Sequence, residues 1–264
     1  MPALALAALL LLPDGEQRAR DFFDRIQFEA PSADSDEARK VAEILMKRET
    51  WVAAYRTLEQ RLGPMPEGLV LKVDFTLEGE EAGFGGGTGA EGRVRFNLRQ
   101  LAERQKRIDE TEARRREAEG RGRRMVYRVP PVRMDRLVYH ELTHVFQRGC
   151  QAPGWFLEGM AQLMSEDPNN LAAFANENQK KVRAIDEQSM DRNDTYARGH
   201  AFWMWLDSKG AAKKVAELAV LQGRPWKEAI EDATGFPWAI VTLVERDWSE
   251  REVDRLRGKE PAGR

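Results

Sequence analysis

Histidine, tyrosine and cysteine are scarce: the 264 residues contain three, four and one of them respectively. A single cysteine, Cys150, excludes a disulfide framework, a cysteine-based zinc cluster and a CxxC redox pair. Neither sign of charge is in excess. The 42 Lys and Arg stand against 44 Asp and Glu, a net −2 that gives no reason to expect nucleic acid as a partner. Beyond the N-terminus, no stretch is long and apolar enough to cross a membrane. What is present is 42% hydrophobic and 33% charged residues, the balance of a globular chain with a well-charged surface. The histidines His140, His144 and His200 are few enough to be judged one by one.

Met1 to Leu12 is almost entirely Ala and Leu, and Pro13-Asp14-Gly15 ends the run. That length suits the apolar region of a signal peptide and is too short for a membrane-spanning helix. No Lys or Arg precedes it, and Ala3, Ala5 and Ala7 come early for a cleavage site. A signal peptide implies an exported protein, periplasmic or extracellular. A first apolar helix of the domain is the other reading and leaves the cytoplasm open. Low cysteine content fits both compartments.

Residues 16–264 read as a single domain, a mixed part over about 36–133 and a helical part over 134–257. Val41, Ile44, Leu45, Val52, Tyr55 and Leu58 recur at roughly helical spacing and predict a helix from Asp36 to Leu62, stopped by Gly63-Pro64-Met65-Pro66. Leu69–Leu77 and Gly92–Leu98 alternate apolar and polar residues and predict strands. The glycine-rich Gly83–Gly89 between them suggests the loop of an antiparallel hairpin. Gln100–Arg124, rich in Glu and Arg, reads as a solvated helix or helical hairpin broken at Gly120 and Gly122, and Met125–Val129 as a short strand. After Arg133 the pattern is helical, interrupted at Pro153-Gly154, Asp167-Pro168, Gly210, Gly223-Arg224-Pro225 and Gly235-Phe236-Pro237. The expected class is α+β: a small mixed or antiparallel sheet, then a mainly helical C-terminal half. Phe202, Trp203 and Trp205 read as core rather than as a substrate pocket.

The stretch from Val132 to Arg148 contains His140-Glu141-Leu142-Thr143-His144, an H-E-x-x-H motif on a predicted helix. At 3.6 residues per turn, positions i and i+4 share a face, so both imidazoles can reach one ion. Glu141 lies about 100° around the helix, placed to hydrogen-bond a water on that ion rather than to complete the ligand set. A catalytic zinc usually takes three protein ligands and keeps a fourth position for water. With no further histidine nearby, Glu158 in Trp155-Phe156-Leu157-Glu158-Gly159-Met160-Ala161 is the next candidate, since the turn at Pro153-Gly154 lets that segment fold back. From spacing alone, two satisfied histidines and a surface glutamate at a helix start remain open.

HELTH followed by WFLEGMA resembles the gluzincin metallopeptidases, whose pattern is H-E-x-x-H and then W-x-x-E-G-x-A on the next helix. The resemblance implies a zincin-like, thermolysin-like core holding one Zn2+. His140, His144 and Glu158 are its implied ligands, Glu141 its general base, and a peptide or protein its substrate. Asp194–Gly210 (DTYARGHAFWMWLDSKG) is similar to the Y-x-x-G-x-x-F-x-x-x-L segment of the peptidase-MA-like branch. That similarity gives Tyr196 the role of stabilising the oxyanion. His200 inherits either a share in it or a hydrogen bond to a ligand, a satisfied core histidine being the alternative. Ala216–Trp248 resembles the helical tail of the same branch. The strand Gly92–Leu98 is expected at the cleft edge, pairing with substrate backbone, with an ordinary hairpin as the alternative.

Two departures stand out. Gly89-Ala90-Glu91-Gly92 is only faintly similar to the aminopeptidase G-x-M-E-N, so an amine-anchoring role for Glu91 and exopeptidase action are unsupported. Gln162 stands where thermolysin-like enzymes often carry an acid supporting a ligand histidine, leaving Asp135 or Glu166 as candidates for that support. A peptidase fold that binds without catalysis is the rival function. A structural zinc site fits less well, because it wants four protein ligands and has no use for Glu141.

Overall fold

The computed structural model describes residues 15–31, 33–65, 68–80, 82–86, 91–120, 133–166, 182, 184–185 and 192–256. The Met1–Leu12 run, the Met125–Val129 strand, the Asp167-Pro168 break and the end of the charged segment after Gly120 lie outside them. The chain is α+β, with ten α-helices and a four-stranded mixed sheet among the described residues. None of these helices is long and apolar enough to cross a membrane.

A short helix α1 (Gly15–Phe23) and strand β1 (Ile26–Phe28) precede the first predicted element. The helix expected over Asp36–Leu62 is two, α2 (Asp36–Leu45) and α3 (Arg48–Leu62). Ser35 caps the first, its hydroxyl accepting from the Ala38 N–H at 3.1 Å. The break has a local cause. The buried Trp51 indole donates to the Leu45 carbonyl at 2.6 Å, occupying an acceptor that a continuous helix would give to its own backbone.

Strands β2 (Val70–Thr76), β3 (Ala82–Gly86) and β4 (Glu91–Asn97) complete the sheet, in the order β1-β2-β4-β3. This corrects the hairpin expected from the sequence. The start of the glycine-rich stretch lies in a strand, β3, antiparallel to β4, with Gly83 opposite Arg95 and Gly85 opposite Arg93. Because β3 runs the other way, β2 and β4 are parallel, with Val73 opposite Val94. β4 is therefore interior, paired on both sides, and cannot be the cleft edge. Among the described residues, β1 and β3 are the outer strands. Leu71, Val73, Val94 and Phe96 are fully buried on the sheet's covered face.

From β4 the chain enters α4 (Leu98–Gly120), the charged helix, buried only near its start at Leu98, Leu101 and Ala102. The helical half comprises α5 (Asp135–Phe146), α6 (Gly154–Ser165), α7 (Arg192–Ser208), α8 (Ala212–Ala216), a π turn (Glu217–Leu221), α9 (Trp226–Thr234) and α10 (Trp238–Leu256). Helix α5 packs against β3, α3 and α6, and α6 against α7. Phe202, Trp203 and Trp205 are core, each at most 1% exposed, and the Trp203 indole donates to the Phe156 carbonyl at 2.7 Å.

Two features lock α7 in place. Gly159 of α6 and Gly199 of α7 meet backbone to backbone: a Cβ at Gly199 would lie 2.1 Å from the Trp155 carbonyl oxygen. On the other side, the buried Arg198 guanidinium forms a two-pronged ion pair with Glu245 of α10, whose Oε1 also accepts from the Ser249 hydroxyl at 2.6 Å. A paired carboxylate with a further donor is the condition under which a buried arginine is tolerated.

Candidate metal centre

Helix α5 begins with Asp135, favourable in a first turn, and contains no Gly or Pro. Val138, Leu142 and Val145, at i, i+4 and i+7, face the core at 0% exposure, which fixes the helix's rotation. That rotation turns His140 and His144 towards α6, where Glu158 lies in the second turn. Their ligand atoms converge. His140 Nε2 and His144 Nε2 are 3.2 Å apart, and Glu158 Oε2 lies 3.3 and 3.4 Å from them. Glu158 Oε2 is buried with no hydrogen-bond partner.

Two imidazole nitrogens and a carboxylate oxygen held this close together suit a cation. A triangle with edges of 3.2, 3.3 and 3.4 Å has corners about 1.9 Å from its centre, close to the 2.0–2.2 Å that zinc takes from imidazole and carboxylate. Among the described residues these three form the one His/Cys/Asp/Glu cluster able to hold a metal ion. Glu158 and His144 feel the same crowding. The Glu158 carboxyl is held at about 2: burial pushes it up, but the two imidazoles together outweigh burial. His144 is raised, since burial pushes it down and Glu158 overcomes that.

Glu141 is 3% exposed, with Oε2 buried and unpartnered. Burial pushes its carboxyl up, and the imidazoles of His140 and His144 only partly oppose this. Tyr196, on the second turn of α7, stacks beside His140 with ring centroids 6.3 Å apart and planes 25° apart. The Gly159–Gly199 contact explains this approach, because it brings α7 against the ligand-bearing turn of α6.

His200, one turn beyond Tyr196, is not part of the triangle. It is 3% exposed with Nδ1 unpartnered, and is held down to about 3 by burial first, then by the charges of Arg61 and His140. It is thus a neutral imidazole at ordinary pH. A histidine depressed from 6.5 to about 3 on folding takes up its proton more readily when unfolded. Its stabilising contribution is complete above about pH 6.5 and is lost as pH falls towards 3. Between pH 7 and 4.5 this amounts to about 2–3 kcal/mol. Urea unfolding of zinc-free His200→Phe should show that much less loss over the interval than wild type. Parallel pH dependences would refute the assignment.

Neither acid expected to support a ligand histidine does so. Asp135 pairs with Arg133 at 2.5 Å, and Glu166, at the left-handed end of α6, pairs with Arg136 at 3.2 Å. Gln162 is buried with its Oε1 unpartnered. Glu91 opens β4 and pairs with Lys72 at 3.4 Å. The residue that does bond one of these two histidines was not anticipated. Gln147 Oε1 lies 2.9 Å from His144 Nδ1, and its Nε2 donates to the Leu157 carbonyl at 2.8 Å. Its signal in the sequence was only the i+3 spacing from His144, which any surface glutamine could share.

No family model, curated protein or solved structure matches the chain. The functional reading therefore rests on the site itself.

Proposed function

We propose that this protein is a zinc-dependent peptidase of gluzincin type, hydrolysing peptide bonds with a metal-activated water. The observation that carries the reading is the convergence of His140 Nε2, His144 Nε2 and Glu158 Oε2 on one point, with Glu141 buried beside it. Bound there, zinc supplies a Lewis acid and a water whose pKa falls from 15.7 to about 7.

The chain's own residues divide the remaining work. Glu141 takes the proton of the attacking water on its carboxylate and passes it to the departing amide nitrogen, as its position outside the ligand set permits. Tyr196, stacked beside His140, donates its hydroxyl hydrogen bond to the carbonyl oxygen as negative charge develops there. Among the described residues, strand β3 pairs through one of its edges and packs against α5, so an extended peptide can add to its other edge through main-chain hydrogen bonds. The edge-strand role expected for Gly92–Leu98 thus passes to Ala82–Gly86.

Zinc content and cleavage test the proposal together. Wild type is expected to bind one zinc per chain by emission spectroscopy, with His144→Ala and Glu158→Ala falling to near zero. Zinc-loaded wild type should cut a diverse peptide mixture at sites read by mass spectrometry. Uptake without cleavage would transfer the site to a peptide-binding module that does no chemistry. Absence of uptake would end the metallopeptidase reading.

A further inference from the structure

We infer that Gln147 is a positioning residue that aims His144 at the metal and ties it to the strand of α6 backbone carrying Glu158; the inference rests on the proposed zinc site. The Leu157 carbonyl oxygen can only accept, so the group 2.8 Å from it must be the amide NH2 of Gln147. The other end of that amide, Oε1, then faces His144 Nδ1 at 2.9 Å. An oxygen accepts, so Nδ1 must carry a proton. A neutral imidazole with its proton on Nδ1 has its lone pair on Nε2, the atom that meets His140 Nε2 and Glu158 Oε2. One backbone carbonyl therefore sets an amide orientation, the amide sets a tautomer, and the tautomer aims a lone pair.

The side chain is held firmly enough to do this. Gln147 is 4% exposed and directly follows α5. Its N–H donates to the Thr143 carbonyl and its own carbonyl accepts from the Cys150 N–H, both at 2.9 Å. Leu157 immediately precedes Glu158, so the same amide bridges the helix of two ligands to that of the third. Partners of this kind, bonded to the far nitrogen of a ligating imidazole, typically change metal affinity about 10- to 100-fold when removed. A glutamine buried merely to cap a helix would have no effect on the imidazole.

Two variants separate those roles. Gln147→Met keeps the volume and removes both bonds, whereas Gln147→Glu keeps the acceptor facing His144 and removes the donor. By chelator competition on the full chain, Gln147→Met should raise the zinc dissociation constant about 10- to 100-fold, with Gln147→Glu remaining within about tenfold of wild type. In zinc-loaded protein, the His144 Nδ1 proton should give a slowly exchanging downfield resonance in wild type and Gln147→Glu, lost in Gln147→Met. Should the methionine variant fail to fold, the glutamate variant still decides, since a missing Nδ1 resonance there overturns the inference. So does unchanged affinity in Gln147→Met, or a Gln147→Glu that binds as poorly as the methionine variant. Wild type that takes up no zinc would defeat the proposed function instead, and the two failures are thereby distinguishable.

Discussion

Glu141→Gln is expected to retain one zinc per chain and to lose turnover by about 100- to 10,000-fold, the usual worth of a positioned general base. The amide has the carboxylate's size, so packing around a side chain 3% exposed is preserved. What it lacks is an oxygen able to take a proton. Zinc is retained because Glu141 lies outside the triangle made by His140, His144 and Glu158. Burial pushes the Glu141 carboxyl above its ordinary range, towards the pH at which one group can both take a proton and return it. Zinc content and peptide cleavage measured on one preparation check both halves. Cleavage within tenfold of wild type would remove Glu141 from the mechanism.

Gly199→Ala is expected to destabilise the fold by about 3 kcal/mol, the upper part of the range for overpacking a well-filled contact. The added Cβ would lie 2.1 Å from the Trp155 carbonyl oxygen and 3.0 Å from its carbon, both backbone atoms of a helix. No rotamer change can relieve that, so α6 and α7 must separate. Gly159→Ala creates the reciprocal clash, 2.3 Å from the Gly199 carbonyl. Because both substitutions load one contact, their costs should fall short of adding. The consequence reaches the site. Tyr196 sits three residues before Gly199 and Glu158 one before Gly159, so separation draws the tyrosine away from His140 and shifts a ligand. Urea unfolding with zinc titration would register both effects. A Gly199→Ala variant within about 0.5 kcal/mol of wild type would show that the helices are not in backbone contact.

Both predictions combine what is local in the chain with what is not. The spacing of His140 and His144 needs only helical geometry to put two imidazoles on one face, and that much was legible before any fold. So were most boundaries of the helical half, because Pro153, Gly210, Pro225 and Pro237 interrupt helices by their own backbone chemistry. The Asp36–Leu62 prediction failed at a point where a side-chain bond, from the Trp51 indole to the Leu45 carbonyl, competes with helix continuation. The Gly83–Gly89 prediction failed differently. Glycine marks a turn by propensity, yet Ala82–Gly86 is held extended by its pairing with β4.

What the sequence by itself determined is the local geometry of the H-E-x-x-H motif and the α+β order of elements, since both follow from periodicity and from chain breakers. Only the tertiary structure decided that Glu158 meets the two histidines, that β3 rather than β4 forms the sheet edge, and that Gln147 rather than an acid supports His144. Each of those depends on how one element lies against another. The approach of α6 to α5 and α7 is set by buried side chains and by two glycines 40 positions apart, Gly159 and Gly199, and no local pattern encodes such a distance.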